Sequence, residues 1–460
     1  MEKIVLQGKR FLTESGKQVI FNGINVLCRG RENNHLPANF ESSVAFFKKM
    51  GFNLLRFGIF WDAAEPQPGV IDEAYLVEVK KMVRMAEDAG IYIMFDMHQD
   101  LFAQKFIDGA PDWACLDDGL PYENKGQLWY EAYLSSEPII RAADNFWSNT
   151  PAADGVGLLD HYEKMWERIG EIFADCDNVI GFEPMNEPFM GSVARLAFGE
   201  AMMRMQAKNS KFTLYDPSST TPEDTAEFMG IVAQKFLEFD RTTLMDFYRR
   251  MQKAMQKHSD KPIVTGGNIY NSTDLPTGIE ALPGGHIYAP HGYDAVVDSD
   301  NYDAYSKDNV ARLYEHKREA QDRLGLPCIA AEWGAFPSKP FTNDLIRFMY
   351  KIVEKNLWGS AYCEYRKEME TDPNFTALCR SYPAETAGDL LSMHSDDPEK
   401  TFEMTYEAEA GGESRIFLSF VPDRVEAEGL TAEIAPLSDG HCMAFVRASE
   451  SGLCTIRFFG

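Results

Sequence analysis

Short apolar segments recur along most of the chain, and each is followed by polar residues and then by a stretch with the apolar spacing of an amphipathic helix. This repeat predicts alternating strands and helices, with the helices covering a sheet. The predicted strands are residues 19–25, 53–58, 91–96, 179–184, 262–266, 286–290, 328–332 and 359–365. The predicted helices are residues 41–50, 75–89, 159–174, 243–257, 305–325 and 343–356. Eight such units favour an α/β fold, a closed (β/α)8 TIM barrel with its chemistry at the carboxyl ends of the strands.

The pattern divides the chain into two predicted domains. Residues 1–370 form the barrel, which begins with a small hairpin over residues 1–19, and residues 371–460 form an antiparallel β-sandwich of short alternating strands. Those strands are residues 402–406, 415–421, 431–434, 442–447 and 454–459. Within the barrel, residues 97–160 and 189–261 are too long for plain crossovers, so we expect two functional loops there. The apolar residues of the second loop favour core packing, or else an apolar binding groove: Phe189, Met190, Met202, Met203 and Met205.

Composition excludes several classes of protein. The formal charge of −26 at pH 7 argues against nucleic-acid binding, because phosphates demand a basic surface. It also disfavours acidic substrates and anionic membranes, so we expect a neutral substrate. No run of about 18 apolar residues is present, which predicts no stable insertion into a membrane.

The cysteines and the N-terminus bear on the cellular compartment. The eight cysteines are scattered, without a CxxC pair, which favours reduced and mostly buried thiols over a disulfide framework or a zinc site. The first residues lack the apolar core of a secretory signal. We therefore expect a cytoplasmic protein, or a secreted one if a signal has been removed.

Asn186, Glu187 and Pro188 stand where the strand predicted at 179–184 runs out. Pro188 ends ladder pairing and favours an extended backbone at Glu187. A carboxylate at a strand's carboxyl end, beside an amide, is a typical way to present a proton donor to a sugar. In isolation the same three residues are more often a solvated turn. A second carboxylate in a matching position, Glu332 at the end of 328–332, favours the catalytic interpretation.

Polar residues at other predicted strand ends complete a constellation. Arg56 lies on the second strand, Asp96 and His98 lie at the end of the third, and His291 and Tyr293 follow the sixth. Each alone has an ordinary structural explanation, such as a salt bridge or a satisfied histidine. Because parallel strands of a barrel end at one rim, we expect these side chains to converge with Glu187 and Glu332.

This order of residues resembles glycoside hydrolase family 5, a family of retaining barrel glycosidases with catalytic glutamates on strands four and seven. The resemblance covers residues 1–370. Within the family, residues 96–102, residues 145–147 and the trailing β-domain are most similar to the endoglycoceramidases, which cut the β-glucosidic bond between an oligosaccharide and ceramide. The resemblance implies a neutral glycoside or glycolipid substrate, with no metal and no cofactor.

The resemblance also implies individual roles. Glu332 is the expected nucleophile, with its pKa held down by hydrogen bonds from Arg56 and Tyr293. Glu187 is the expected acid/base, kept protonated by a dry setting and a nearby negative charge. Asn186 is expected to hold the sugar 2-hydroxyl, and His291 to orient the acid/base. The remaining expected substrate-binding residues are Asp96 and His98 on sugar hydroxyls and Trp147 and Trp333 as stacking surfaces, with packing in the barrel as an equal alternative for Trp333.

Two departures from the family pattern leave the substrate open. Arg29 takes the place of a lysine that endoglycoceramidases have after strand one, and Cys363 occupies the position expected for a strand-eight tryptophan, with Tyr362 or Tyr365 as possible replacements. The leading hypothesis is an endoglycoceramidase-like enzyme. The alternatives are an exo-β-glucosidase acting on glucosylceramide, steryl or plant-aglycone glucosides, a cellulase or mannanase, and a non-catalytic carbohydrate-binding barrel.

Overall fold

A computed structural model of the chain describes residues 1–213 and 220–460. Three short strands open the chain: β1 (Ile4–Gln7), β2 (Arg10–Thr13) and β3 (Gln18–Val19). The eight strands that follow are β4 (Asn22–Val26), β5 (Leu54–Ile59), β6 (Tyr92–Met97), β7 (Val179–Glu183), β8 (Val264–Thr265), β9 (Ile287–Tyr288), β10 (Ile329–Gly334) and β11 (Gly359–Cys363). Each of these strands begins and ends within two residues of one predicted strand, except that β4 begins three residues after the start of its predicted strand.

These eight strands form a closed parallel barrel. Six of them pair continuously in the order β10-β11-β4-β5-β6-β7, and β8 pairs with β9. Isolated parallel bridges close the two gaps, with Phe182 opposite Ile263 and Tyr288 opposite Cys328. The predicted (β/α)8 fold is confirmed, although β8 and β9 are only two residues long.

Two apolar layers hold the barrel together. Its interior is filled by residues such as Leu54, Met94, Ile180, Val264 and Ala331. A second and larger layer lies between the strands and the surrounding helices. Because apolar side chains fill the barrel itself, polar chemistry is confined to the rim.

Eleven α-helices are present in the described residues, and six of them are the predicted ones. The helices are α1 (Phe40–Lys49), α2 (Trp61–Ala64), α3 (Glu73–Asp88), α4 (Ala132–Ser135), α5 (Glu137–Trp147), α6 (Leu158–Ile172), α7 (Ser192–Lys208), α8 (Pro222–Phe239), α9 (Met245–Met255), α10 (Lys307–Leu324) and α11 (Thr342–Asn356). One π-helical turn, Asp240–Leu244, joins α8 to α9. None of the described helices combines the length and the hydropathy that crossing a bilayer requires.

Both long segments predicted as loops contain helices, and residues 189–261 are largely helical. Residues 97–160 contain α4 and α5, and residues 189–261 contain α7 and α8. Of the apolar residues considered for a binding groove, Met190 and Met205 are buried in the core and Met203 is exposed. Residues 214–219, which include part of the polar stretch of this insertion, lie outside the described residues.

The C-terminal part is the predicted sandwich of two antiparallel sheets. Its strands are β12 (Tyr382–Thr386), β13 (Gly388–Asp396), β14 (Thr401–Ala408), β15 (Glu413–Leu418), β16 (Arg424–Ala427), β17 (Leu430–Pro436), β18 (Cys442–Ala448) and β19 (Gly452–Phe459). One sheet has the order β1-β2-β3-β12-β15-β18-β17 and the other β13-β14-β19-β16. The N-terminal hairpin, which we assigned to the barrel domain, therefore belongs to a sheet of the sandwich.

Arg380 fastens the sandwich to the barrel. Its guanidinium is buried, lies 3.2 Å from Glu354 of α11 and from Asn22 of β4, and stacks 4.3 Å from the centre of the Tyr350 ring. A buried cation with a carboxylate partner and an aromatic face is a specific attachment. It leaves the opposite rim of the barrel, where the strands end, free for the site.

Candidate active site

Arg56 of β5 lies at the centre of the polar rim and is fully buried. Its Nη1 donates to Glu332 Oε1 at 2.5 Å, and its Nε donates to Glu183 Oε2 at 2.7 Å. Its Nη2 donates to Asn186 Oδ1 at 2.8 Å and lies 3.1 Å from Asp96 Oδ1. One guanidinium thus orients residues at the ends of three strands, β6, β7 and β10, as its planar fork of donors allows.

Glu332 points into the site because β10 has a bulge. The pairing register of β10 with β11 shifts between Ala330 and Trp333. Ile329 and Ala331 face the barrel interior, so strict alternation would send Glu332 outward. The bulge reverses the alternation and re-aims the carboxylate, as bulges next to active sites do.

The surroundings of Glu332 favour its ionised form. Tyr293 Oη donates to Glu332 Oε2 at 2.9 Å, and His291 Nδ1 lies 3.5 Å from the same oxygen. Burial alone would raise the pKa of Glu332, but the charges of His291, Arg56 and His98 and the Tyr293 hydrogen bond together lower it to about 2. An ionised carboxylate aimed at the centre of the site can act as a nucleophile.

Glu187 has the opposite electrostatic character. Burial raises its pKa, and the negative charge of Glu332 adds to that rise, while a contact of 3.0 Å with His291 Nδ1 opposes it. Its backbone is not extended, as Pro188 led us to expect, but left-handed with a φ of 38°. A strained backbone at a site is sustained by its surroundings, and here Gln99 Nε2 donates to the carbonyls of Asn186 and Glu187 at 2.8 and 3.0 Å.

The two glutamates are close together. One carboxylate oxygen of Glu187 and one of Glu332 lie within 4.8 Å of each other, with a nitrogen of His291 within the same distance of both. Retaining glycosidases hold their carboxyl groups about 5–5.5 Å apart, and inverting enzymes about 6.5–9.5 Å. The spacing leaves no room for a water between the groups and fits retention.

A polar cluster joins the loop after β6 to the residues that follow β4 and β11. His98 Nδ1 lies 2.8 Å from Asp96 Oδ2, and His98 Nε2 lies 3.1 Å from Arg29 Nη2. Arg29 also contacts Glu364 at 2.5 Å and the buried Asp108 at 3.1 Å. Asp96 has no exposed surface, and its two oxygens contact His98 and Arg56. It therefore orients these two residues, and our expectation that it binds sugar directly is wrong.

Two of the aromatic predictions are wrong. Trp333 has no exposed surface and packs edge-on against Tyr350 of α11 at a ring distance of 5.2 Å, so it offers no face to a sugar. Tyr362 is also fully buried, and Tyr365 packs against Phe47 of α1. Neither tyrosine therefore replaces the tryptophan expected at Cys363.

Trp147 remains a candidate stacking surface. It ends α5, is half-buried, and its indole N–H donates to the carbonyl of Phe189 at 2.7 Å. Phe239 and Phe247 pack edge-on against it, with ring distances of 5.3 and 5.5 Å. These contacts hold the ring beside the segment that follows Glu187.

A family model described as cellulase, glycosyl hydrolase family 5, matches residues 12–361. This chain belongs to glycosyl hydrolase family 5. Among curated relatives of this family 5 chain, an endoglycoceramidase of Cyanea nozakii is 29% identical over 208 residues, which are 39% of this chain and 40% of that protein. The chain thus spans two fifths of that relative's length.

Other relatives match over nearly the whole chain. Endoglycoceramidase I of Rhodococcus hoagii (strain 103S) is 23% identical over 487 residues, covering 98% of this chain and 87% of that protein. The solved structure of endo-glycoceramidase II from Rhodococcus sp., in complex with a five-membered iminocyclitol, superposes with a TM-score of 0.77 at 25% identity. It covers 97% of this chain and 98% of that one, so the family 5 barrel and the C-terminal sheets are shared together.

Sequence reasoning missed several residues of the family 5 site. Glu183 is buried in β7 and bonded to Arg56, and burial with the nearby Asp96 raises its pKa to about 7 in spite of that arginine. Asp108 was also missed, and Asp100, which lies in the same stretch as Asp96 and His98, was given no role. A glutamate inside the strand itself, four residues before Glu187, was the available signal for Glu183.

Three groups of side chains converge closely enough to hold a cation. They are Asp96, His98 and Glu332; His98, Asp100 and Asp108; and Glu187, His291 and Glu332. In each group, carboxylates already contact Arg56, Arg29 or His291. The negative charge of these carboxylates is therefore balanced by side-chain cations of the protein. That catalysis needs no metal or cofactor stays a prediction.

Proposed function

We propose that this chain is a retaining β-glycosidase of endoglycoceramidase type, which hydrolyses the β-glycosidic bond between a glycan and a lipid aglycone. The observation that carries the proposal is the Glu187–Glu332 pair. Its oxygens lie within 4.8 Å, and its members have pKa values shifted in opposite directions. A pair of carboxyl groups separated in pKa defines which is the acid and which the nucleophile.

In the first step, the Glu332 carboxylate attacks the anomeric carbon and Glu187 gives its proton to the glycosidic oxygen. The aglycone leaves as an alcohol, and the glycan stays esterified to Glu332. That ester carries no charge, so the negative charge that raised the pKa of Glu187 is gone. Glu187 is now a carboxylate of lower pKa and can act as a base.

In the second step, Glu187 takes a proton from water, and the resulting hydroxide attacks the anomeric carbon. The bond to Glu332 breaks, and the carboxylate returns to the hydrogen bonds of Arg56 and Tyr293. The glycan leaves with its original anomeric configuration. Proton NMR of a fresh reaction tests this directly, since retention gives the β-anomer first and inversion gives the α-anomer.

The lipid aglycone is supported by the relatives. Two relatives that match over nearly the whole chain are named endoglycoceramidases. The net charge of −26 disfavours attraction of acidic substrates, which agrees with a neutral glycoside.

An exo-β-glucosidase is the second candidate, and the Arg29–Glu364 ion pair favours it. Arg29 follows β4 and Glu364 follows β11, which lie three and four strands around the barrel from β7 and its Glu187. The leaving group must lie beside the acid, so the glycone extends towards this ion pair. Arg29 Nη1 and Glu364 Oε2 lie 2.5 Å apart, so the ion pair joins the loops that follow β4 and β11. Loops joined in this way favour a glycone site that is closed to long glycan chains.

Product analysis distinguishes the candidates. The purified protein would be incubated with a ganglioside, lactosylceramide, glucosylceramide and an aryl β-glucoside, beside the Glu332→Gln variant. Intact oligosaccharide with ceramide supports endo action, and glucose from monoglucosides alone supports exo action. Equal turnover by the variant, or no turnover by the parent protein, would overturn the proposal, and the second outcome would favour a carbohydrate-binding barrel.

A further inference from the structure

Lys317 is a buried charged group outside the site that the mechanism does not use. It lies on α10, has 3% of its surface exposed, and donates from Nζ to the carbonyls of Asn271 and Thr273, the latter at 3.1 Å. The charged groups that face it are Asp274 and Asp240, and burial outweighs them and lowers its pKa to about 7. A buried ammonium group is unfavourable unless its hydrogen bonds replace those of water.

The two carbonyls that Lys317 binds lie on either side of Ser272, which contacts a partner of the nucleophile. The residue between them, Ser272, accepts a hydrogen bond from the backbone N–H of Tyr293 at 3.0 Å. Tyr293 in turn donates its hydroxyl to Glu332. The ammonium group therefore holds the backbone around Ser272, and that backbone in turn holds Tyr293.

The same segment also contacts the backbone beside the acid/base. We call residues 268–278, which follow β8, the β8 loop. The N–H of Ile269 donates to the carbonyl of Pro188, next to Glu187, at 3.1 Å. The buried Asp240 binds both ends of the β8 loop, since it accepts from Asn268 Nδ2 at 2.8 Å and from the N–H of Gly278 at 2.9 Å.

We propose that Lys317 is a positioning residue, which sets the geometry of both catalytic glutamates through the β8 loop. One buried cation holds the middle of a segment that is bonded to Pro188 on one side and to Tyr293 on the other. This role rests on the proposed function, since it presupposes that Glu187 and Glu332 do the chemistry. Because Lys317 lies on the buried face of α10, this outer helix helps to position the active site.

The test compares Lys317→Met with a matched control, Lys261→Met. Lys261 is equally buried, with 3% exposed, and its Nζ donates to the carbonyl of Ala174 at 3.4 Å. It precedes β8, so it lies at the end of the barrel away from the site. Both variants lose a buried ammonium, and only one of them loses a link to the β8 loop.

We expect Lys317→Met to lower kcat on a soluble aryl β-glucoside by about ten- to a hundredfold, since displacements of about 1 Å have effects of that order. The acidic limb of its kcat/KM profile should move to higher pH, as it should in Tyr293→Phe, because Glu332 loses support from Tyr293. Lys261→Met should keep the parental kcat and acidic limb. Lys317→Gln, which retains a hydrogen-bond donor, should lie between parent and Lys317→Met.

Three results would overturn the inference. The first is a parental kcat and acidic limb in Lys317→Met, and the second is an equal loss of kcat in Lys261→Met. The third is loss of the folded state in both Lys317 variants, which would show that the lysine supports the whole fold. A parent protein with no activity on any β-glycoside would instead contradict the proposed function. The two failures are therefore distinguishable.

Discussion

Replacing Tyr293 by Phe removes one hydrogen-bond donor from Glu332 and leaves its other partners in place. The tyrosine hydroxyl donates to Glu332 Oε2 at 2.9 Å, while Arg56 occupies Oε1. The substitution removes a single oxygen atom and keeps the ring. Its main effect should therefore be on the charge state of the nucleophile.

The size of the effect follows from the charge on the acceptor. A hydrogen bond to an ionised group contributes about 1.5–3 kcal/mol, and one pKa unit corresponds to about 1.36 kcal/mol. Loss of the Tyr293 hydroxyl should thus raise the pKa of Glu332 by about 1–2 units. From a starting value of about 2, the carboxylate would still be ionised at neutral pH.

The assay is the pH dependence of kcat/KM on an aryl β-glucoside. Activity requires ionised Glu332 and protonated Glu187, so it falls on the acid side as Glu332 takes up a proton. A raised pKa moves that acidic limb to higher pH by about 1–2 units, and the basic limb, which reports Glu187, should stay. Tyr382→Phe is the control, because its buried hydroxyl donates to the carbonyl of Gly51 at 2.7 Å, away from the site. An unmoved acidic limb, or a shift confined to the basic limb, would refute the assignment of Glu332 as the ionised partner.

Three further predictions concern the acid/base, a buried acid and the domain junction. Glu187→Gln should lower the activity on glycolipids by about 10²–10⁴-fold. It should still release a burst of phenol from an aryl glucoside with a good leaving group, which stopped-flow absorbance would detect. The absence of a burst would contradict the role of Glu187 as acid/base. Burial raises the pKa of Asp108 to about 7, above its ordinary value of about 3.9, so its contribution to stability is present below pH 4 or so and is lost as the pH rises to about 7. Asp108→Asn should therefore show a smaller drop in Tm between pH 5 and pH 8 than the parent, and an equal drop would count against this account. Arg380→Met removes the arginine partner of the buried Glu354 and leaves it with contacts of 3.4 Å to the backbone N–H of Ser395 and to His394, so urea unfolding should show a loss of about 3 kcal/mol with unchanged activity on the aryl glucoside; a loss of activity would mean that the junction supports the site.

The residues of the site could be predicted because the barrel gathers sequence-distant positions. Each strand is an apolar run that ends in polar residues, so Arg56, Glu187, His291 and Glu332 were expected at one rim. The structure brings them into mutual contact. The apolar runs of β8 and β9 were recognised although only two residues of each pair as strand, because flanking residues continue the extended path.

Local rules failed where tertiary contacts oppose them. Trp333 was expected at the site from the family resemblance, but the bulge in β10 aims Glu332 into the site and leaves Trp333 packed against Tyr350 of α11. Glu187 was expected to be extended because of Pro188, whereas hydrogen bonds from Gln99 stabilise its left-handed backbone. The helix α7 escaped detection because its apolar residues are distributed around the whole helix and leave no amphipathic period. The helix α8 did carry a signal, the capping box of Thr221 and Asp224 followed by a helical pattern.

The difference between the two catalytic glutamates arises from their neighbours, because both side chains are the same and both are buried. Of these two glutamates, only Glu332 accepts hydrogen bonds from Arg56 and Tyr293, whereas His291 contacts both. Two carboxylates this close cannot both be ionised without large repulsion, so the proton goes to the one with fewer cationic partners. Glu187 therefore holds the proton as long as Glu332 is free, and loses it when the glycosyl ester removes the charge. The exchange of roles depends on Tyr293 staying in place, and that dependence extends through Ser272 to Lys317 on the outer helix α10.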